Sequence, residues 1–583
     1  MSVSDVYNDV TLYITAEKFY LEPKSSDELL VIDRASEVVT LERNSGQIPP
    51  AHSRKDFCGL LGSINLLAGR YLVLLTQRDL VGYIAGHPIW KLVKAELVPY
   101  SRSLLHLNNE KLVDNNAYLS MVEHTLATPS FYFSYSYDIT HSIQRLHDIS
   151  PDFWQQSLLE RADSRFVWNR HLLEQFQDPN FRRFALPLML GFVSINQCVV
   201  NGRNFMWALI SRRSVLRAGT RWFRRGIDRD GNVANFVETE QIVESGEGDR
   251  SSFVQIRGSI PLFWFQKPDL RYKPPITLDQ NLDPQEHQSA CLKHIEATAL
   301  IYGRQVMIDL VDQVGSEGRL EKAFKDIIGL LGHPSARYEP FDFHAECRQM
   351  KWHRLAILID RVSLDQEEMG YFLILRDGTL MSLQEGVFRT NCIDCLDRTN
   401  VVQSMLAHQN IETVLGRFGI LRPDQRLELQ PSFENLYKNV WADHADLIST
   451  QYSGTGALKT DFTRTGKRTK GGVLQDAVNS LMRYYKNNFN DGFRQDSIDL
   501  FLGNGKTISP LAPPPGWRYV TFPSVLLVAT AMFIASALFP SEYSTECLLY
   551  LLFWGGMMAA TAYYIFQYGT EFVDKPKLTA YAS

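Results

Sequence analysis

Cysteine is sparse in this chain, and its spacing is irregular. Cys58, Cys198, Cys291, Cys347, Cys392, Cys395 and Cys547 make an odd seven spread over 583 residues. Such spacing yields no disulfide framework and suits a reducing compartment. An excess of positive charge is also missing, since 60 Lys and Arg stand against 65 Asp and Glu for a net charge of -5. Without a global basic field the chain is a poor partner for nucleic acid, and any anionic ligand must be met by a local patch. The opening residues, MSVSDVYNDVTLYITAEKFYLEP, hold acidic side chains and no uninterrupted apolar stretch behind a positive start, so they do not read as a secretory signal peptide. The composition of a disordered or fibrous chain is absent too, with 45% hydrophobic and 12% aromatic residues, which predicts a packed globule. One core cannot serve this length, because single cores stop growing at roughly 250 to 300 residues.

What is present divides the chain. Residues 1–182 carry short runs rich in Val, Leu, Ile, Thr and Tyr (TLYIT, LLVID, EVVTLE, YLVLLT, LVGYIAG) between turn-like stretches, and read as a β-rich domain. In 183–505, strand-like runs such as LAILID and YFLILRDGTLMSL alternate with helical patterns, which predicts an α/β domain. The stretch 506–518, ISPLAPPPGWR at its heart, reads as a semi-rigid linker that advances ~3.1 Å per residue in polyproline form and reaches up to about 40 Å. Residues 519–541 and 547–570 each lack Asp, Glu, Lys and Arg, and each exceeds the ~20 residues needed to cross hydrocarbon. They predict a transmembrane hairpin followed by a tail, 571–583. Arg518 precedes the first span, Lys575 and Lys577 follow the second, and the loop between them holds Glu542 and Glu546. The positive-inside bias places both ends in the cytosol.

Chemistry concentrates in RTNCIDCLDRTN, residues 389–400. Upstream, SLQEGVFRTN reads as a strand entering a turn; downstream, Val401, Val402, Met405, Leu406, Ile411, Val414 and Leu415 recur at helical spacing, with Gly416 as a stop. A loop between strand and helix start is where backbone N–H groups converge on an anion. Cys392 and Arg398 are separated by five residues, a spacing that curls around a phosphate, with Ile393, Cys395 and Leu396 supplying backbone N–H groups and the Arg forking onto phosphoryl oxygens. The same potential lowers the thiol pKa, so that a thiolate can attack phosphorus. Asp394 and Asp397 would repel such a substrate if both were ionised. A carboxyl kept protonated beside a dianionic phosphate is instead a general acid.

The pattern Cys-x-Asp-Cys-x-Asp-Arg-Thr, matched at every fixed position by residues 392–399, resembles the signature of the Sac phosphoinositide phosphatase family. FVWNRHLL (166–173), RAGTRWFRRGIDRDGNVANFVETEQ (217–241), FVQIRGSIPLFW (253–264) and FDFHAEC (341–347) extend the resemblance over most of 1–505. With the hairpin it points to the membrane-anchored members of the endoplasmic reticulum and Golgi. The resemblance implies a β-rich N-terminal Sac subdomain, an α/β catalytic domain, no metal or other cofactor, and action on phosphatidylinositol monophosphates of the cytosolic leaflet, chiefly the 4-phosphate and also the 3-phosphate. It implies Cys392 as nucleophile, Arg398 as phosphate ligand and Thr399 as the hydroxyl that helps release the thiolate. Asp397 is favoured as the acid, with Asp394 the alternative. Arg217, Arg221, Arg224, Arg225, Arg257, Lys322 and Lys325 are the candidate headgroup ligands, Arg224 and Lys325 among them.

Other uses remain open. Cys392-x-x-Cys395 and His344-x-x-Cys347 have the spacing of zinc half-sites, but Asp397 and Arg398 would then be idle and Arg repels a cation. Cys395 could also trap an oxidised Cys392 as a disulfide. A protein phosphatase and a non-catalytic membrane adaptor compete as whole-chain readings; the former takes its acid from a separate loop, the latter has no need of both Cys and Arg. Arg464, Lys467, Arg468 and Lys470, in a Gly- and Thr-rich segment without Asp or Glu, are expected to touch acidic headgroups and to favour action on the enzyme's own membrane. The C-terminal Ala580-Tyr-Ala-Ser583 carries no dilysine signal.

Overall fold

The computed structural model describes every residue except 1–4, 47, 280, 349–351, 466, 468, 512–515, 539–543 and 581–583. The strand-forming runs near the N-terminus build an antiparallel five-stranded sheet, ordered Val39–Arg43, Glu28–Asp33, Lys18–Pro23, Val10–Ile14, Ser53–Phe57. Alternate residues Phe19 and Leu21, and Leu30 and Ile32, turn one way and are buried against Leu72 and Leu74 of the next sheet, as a period of two requires.

That second sheet has 13 strands. It runs from Gly59–Leu66, Gly69–Ile84, His87–Pro99 and Phe131–Phe133 through Met189–Val200, Arg203–Arg213, Val237–Ser245 and Arg250–Arg257 to Gly386–Asn391, Arg304–Asp309 and Ala336–Pro340, with a short hairpin, Phe372–Ile374 and Leu380–Ser382, at its side. Pairing is antiparallel until Arg250–Arg257 and parallel beyond it. The parallel strands are covered on both faces. In Arg304–Asp309, Met307 packs with Leu320 and Phe324 of helix Gly315–Leu331, while Val306 and Ile308 pack with Leu358 and Val362 of helix Leu355–Met369 on the other side.

Chain order sets the site. From Arg304–Asp309 the chain crosses outward to Ala336–Pro340, then returns to lay Gly386–Asn391 on the opposite flank of the first strand. The carboxyl ends of these two strands, where Asp309 is paired with Asn391, are therefore a topological switch point, the place where open α/β sheets hold their ligands.

Two elements differ from the sequence reading. LAILID opens the helix Leu355–Met369 rather than a strand; a short apolar run fits either period, and Leu355, Leu358, Val362 and Met369 are buried at helical spacing. The Pro-rich linker does not stand free at its start, because Ile508 exchanges bonds with Tyr118 Oη and Ser509 donates to Asp114, both on helix Asn109–Leu126.

Trp517–Leu538 and Thr545–Gln567 are long and apolar enough to cross a membrane, and almost none of either is buried inside the fold. They pair along their lengths, with Phe522 stacked on Tyr564 at 4.5 Å and Phe533 against Gly555. Beyond them the chain returns to helix Asp491–Phe501. Asp574 accepts from Phe493 N at 2.9 Å, the Asp496 carboxylate takes the N–H groups of Lys577 and Leu578, and Thr579–Ala580 pairs with Gly505–Lys506.

A buried guanidinium ties the N-terminal segment to the sheet. Arg212 donates to Glu238 at 2.8 Å and Glu240 at 2.6 Å, and also to the carbonyls of Ile139 and His141. Arg212→Met is expected to lower stability by about 3–5 kcal/mol, because it strands two buried carboxylates; chemical denaturation of the detergent-solubilised chain measures it, and an unchanged midpoint contradicts it.

Candidate active site

Strand Gly386–Asn391 ends just before Cys392, and helix Asp397–Arg417 begins five residues after that cysteine. Between them the loop closes on itself through sulfur. Cys392 N donates to Cys395 Sγ at 3.3 Å, and Cys395 N donates to Cys392 Sγ at 3.1 Å. Cys395 takes φ +51°, a left-handed conformation disfavoured for a residue with a Cβ, and its Sγ donates to the carbonyls of Gly258 and Cys392.

Successive loop carbonyls are taken from outside. Arg225 Nη1 donates to the Ile393 carbonyl at 2.7 Å, Asn235 Nδ2 to that of Asp394 at 3.0 Å, and Arg257 Nη1 approaches that of Cys395 at 3.5 Å. In a trans peptide the C=O and the next N–H point in opposite directions, so the N–H groups of Asp394, Cys395 and Leu396 face inward, where that of Cys395 meets the Cys392 sulfur.

The two loop carboxylates are treated differently. Asp394 is clamped by Arg221, through Nε at 2.9 Å and Nη2 at 2.7 Å, and by Arg225 Nη2 at 2.7 Å. Burial alone would raise its pKa, but the two guanidinium groups outweigh it and hold the carboxyl well below the usual range. Asp397 accepts a bond from Leu458 N at 2.9 Å, and burial holds its carboxyl above the usual range against the pull of Arg483. Cys392 is only 4% exposed; its hydrogen bond from Cys395 overcomes burial and, with Arg398, brings the thiol down to about 7, whereas burial and the neighbouring sulfur push Cys395 far up.

Arg398 donates to the Leu310 carbonyl at 2.9 Å and to Asp312 and Glu317 at 3.2 Å each. Thr399 is buried, and its hydroxyl has no hydrogen-bond partner among the described residues. Asp394, Asp397 and Arg398 open into a cavity of about 260 Å³. A larger groove of about 620 Å³ lies between helices Leu355–Met369 and Pro431–Ser453 and contains none of the three.

Of the basic residues singled out from sequence, Arg221 lines the cavity, while Arg225 and Arg257 sit buried behind the loop. Arg217 donates to the Arg225 carbonyl and Arg224 pairs with Asp499 at 2.9 Å, so both are structural. Lys322 and Lys325 are exposed on helix Gly315–Leu331 and do not line the cavity. Leu396 contributes only its N–H to the loop's inner side, its side chain packing with Val237, Ile448 and Tyr452, whereas Ile393 has its carbonyl taken from outside by Arg225 and its side chain in the apolar cluster of Ile260 and Met307. Arg464 is bound to Asp443 at 2.7 Å and Asp446 at 3.4 Å, Lys467 and Lys470 are exposed, and Arg468 lies outside the described residues.

The cavity also recruits residues that sequence reasoning passed over: Lys273, Lys459, Arg483, Tyr272 and Tyr484. Asp309, at the end of the neighbouring strand, is a further buried acid. Burial pushes its carboxyl up to about 7, and Tyr338 Oη lies 3.1 Å away. Its only sequence signal was an acid closing a buried strand, VMID. Among the described residues, no three His, Cys, Asp or Glu side chains gather as a metal site; Cys347 packs in an apolar cluster, and His344 lies 3.3 Å from Asp312.

A family model described as the SacI homology domain matches residues 58–348. The chain is 50% identical over 584 residues to Phosphatidylinositol-3-phosphatase SAC1 of Drosophila melanogaster, an alignment covering 98% of this chain and 97% of that one. Identity is 47% to Phosphatidylinositol-3-phosphatase SAC1-B of Danio rerio, over 99% of both chains. With Phosphatidylinositol-3-phosphatase SAC1 of Saccharomyces cerevisiae it is 38%, over 89% of this chain and 85% of the other. A Sac signature loop at the switch point of the sheet, and similarity of this depth along nearly the whole length, make the chain a member of the Sac family of phosphoinositide phosphatases.

Proposed function

We propose that the chain hydrolyses phosphatidylinositol monophosphates, chiefly the 4-phosphate and also the 3-phosphate, through a cysteinyl-phosphate intermediate. The observation that carries this reading is the split between the loop carboxyls: Asp394 is committed as an anion to Arg221 and Arg225, while Asp397 is held above its usual range at the mouth of the same loop. A loop built to bind phosphate keeps one acid neutralised by partners and the other available as a proton donor.

The Cys392 thiolate attacks phosphorus, an S–P bond forms as the P–O bond to inositol breaks, and Asp397 gives its proton to the departing oxygen. Water then attacks the phosphocysteine, its proton passes to the Asp397 carboxylate, and the S–P bond breaks to release phosphate and regenerate the thiolate. Inward N–H groups of the loop and Arg398 carry the phosphoryl charge. For Arg398 this means exchanging Asp312 and Glu317, its partners in the structure, for phosphoryl oxygens. The Thr399 hydroxyl is assigned the role of stabilising the leaving thiolate, a reading supported by its being buried with no hydrogen-bond partner among the described residues.

The enzyme is read as an integral protein of the endoplasmic reticulum, and also Golgi, membrane with both ends cytosolic. Support comes from Arg518, Lys575 and Lys577 flanking the apolar helices and from the return of residues 574–580 to the same domain that precedes the first helix.

Cys392→Ser is expected to abolish turnover while leaving vesicle binding intact; retained turnover contradicts the covalent route. The alkylation rate of Cys392, followed by peptide mass spectrometry, should rise with pH through an inflection near about 7, because only the thiolate reacts. Cys395→Ala should move that inflection upward by removing the Cys395 thiol, whose side-chain hydrogen bond favours the thiolate, while the bond from the residue 395 backbone N–H remains. Asp397→Asn should slow lipid hydrolysis by about 10²–10⁴-fold but spare an activated aryl phosphate, and should erase the loss of lipid activity as pH rises, since a raised carboxyl pKa means the acid is lost by deprotonation. Equal slowing of both substrates would make Asp397 a loop-ordering residue. A glycosylation acceptor placed with adequate spacing in 541–546 should be modified and one at the C-terminus should not; the reverse pattern inverts the topology.

A further inference from the structure

Helix Lys470–Phe489 presents two unlike faces. Ser480, Arg483, Tyr484 and Asn487 turn to the catalytic cavity, where Arg483 bonds Thr455, Ser449 and the Gly456 carbonyl. On the opposite side, at helical spacing, Leu474, Val478, Leu481 and Tyr485 form an apolar stripe, with Leu474 68% and Leu481 71% exposed. Met482 and Phe489 widen it. A contiguous exposed apolar face on a folded protein marks an interaction surface.

The surroundings identify what covers it. Tyr484 Oη donates to the Leu270 carbonyl at 2.7 Å, and Leu270 packs against Phe572, Phe522 of the first apolar helix and Ile565 of the second. The stripe therefore belongs to a helix one residue removed from the ends of the hairpin where it leaves the apolar layer. Tyr272, 62% exposed and stacked on Tyr484, stands beside the same junction. Lys470 begins the helix, Lys467 precedes it and Lys273 lies on the adjoining loop, all exposed cations suited to an anionic surface. Apolar residues on one side, basic residues at the flank and aromatic rings at the boundary are the marks of a helix lying in a membrane interface.

We propose that Lys470–Phe489 is an interfacial helix, seated in the bilayer that the hairpin crosses, with Leu474, Val478, Leu481 and Tyr485 among the acyl chains and its other face forming a wall of the catalytic cavity. A headgroup standing in that leaflet then meets Asp397 and Arg398 without leaving the membrane. The inference rests on the apolar helices being spans and on the phosphatase reading above, and it replaces the basic segment as the main membrane contact, because Arg464 is already held by Asp443 and Asp446.

The test uses the full chain in vesicles of phosphatidylcholine and phosphatidylserine containing a phospholipid with a photoreactive acyl chain. Labelled peptides are expected from 473–489 as well as from both spans. Label confined to the spans, or a covalent link between two copies at Leu481→Cys in place of lipid label, overturns the proposal. Leu474→Glu with Leu481→Glu should reduce hydrolysis of vesicle-borne phosphatidylinositol 4-phosphate at least tenfold and leave dibutanoyl phosphatidylinositol 4-phosphate, which is water-soluble, hydrolysed at the wild-type rate. Unchanged vesicle hydrolysis counts against the interfacial helix. If both rates fall together the variant has lost its fold, and the labelling of the unmutated chain decides. Failure of the unmutated chain on both substrates instead removes the phosphatase reading and leaves the labelling result standing.

Discussion

Arg225 binds the Ile393 carbonyl with one nitrogen and Asp394 and Gln266 with the other, and it is fully buried. A guanidinium so placed is costly unless each donor finds an acceptor, and a carboxylate partner is the strongest available. Asp394 supplies it and is fixed as an anion in return. That anion then acts on its neighbours: it adds to the burial that raises Asp397, and it opposes ionisation of Cys392. The thiol answers with two local devices, the Cys395 hydrogen bond and the proximity of Arg398. The loop's shape and the ionisation of Asp394 thus depend on this buried cation together with Arg221. Removing Arg225 would leave Asp394 under-neutralised in a buried loop.

The strand, turn and helix around Cys392 were legible because all the information is local: a short β run, a turn and a long 3.6-residue period lie next to one another in the chain. Asp394 was legible as an anomaly, a carboxylate where anions bind, yet its partners were not, since Arg221 and Arg225 lie some 170 residues upstream, 173 and 169 positions away. Arg224, next to Arg225, points to Asp499 instead; in a turn, adjacent side chains diverge, and composition cannot say which faces inward. Lys273, Lys459 and Arg483 come from separate segments that only tertiary folding brings to one cavity. LAILID failed for a different reason, because a short apolar run carries no period of its own.

The apolar stripe on Lys470–Phe489 is inconspicuous in the sequence because the helix carries as many polar residues as apolar ones and a basic cluster stands directly before it. Charge near a membrane acts over roughly a Debye length, about 8–10 Å at physiological salt. Apolar contact acts only on touching, so it defines depth and tilt where charge defines approach. In the proposed interfacial seating, the two features, consecutive along the chain, divide those tasks.

The tail after the second apolar helix is gripped through its backbone, Asp496 taking the N–H groups of Lys577 and Leu578 and the Asn488 carbonyl that of Asp574, and through one side chain, the Asp574 carboxylate, which accepts from Phe493 N. A carboxylate that reads peptide N–H groups is indifferent to the side chains those residues carry, so at Lys577 and Leu578 the tail's register, not its composition, is what docking measures. A tail of this kind is a ruler. Together with the linker before Trp517, held at its start by Tyr118, it attaches the folded body to the apolar helices at two points instead of one. A body tethered once can swivel about its tether; tethered twice, it keeps one orientation toward the pair of apolar helices.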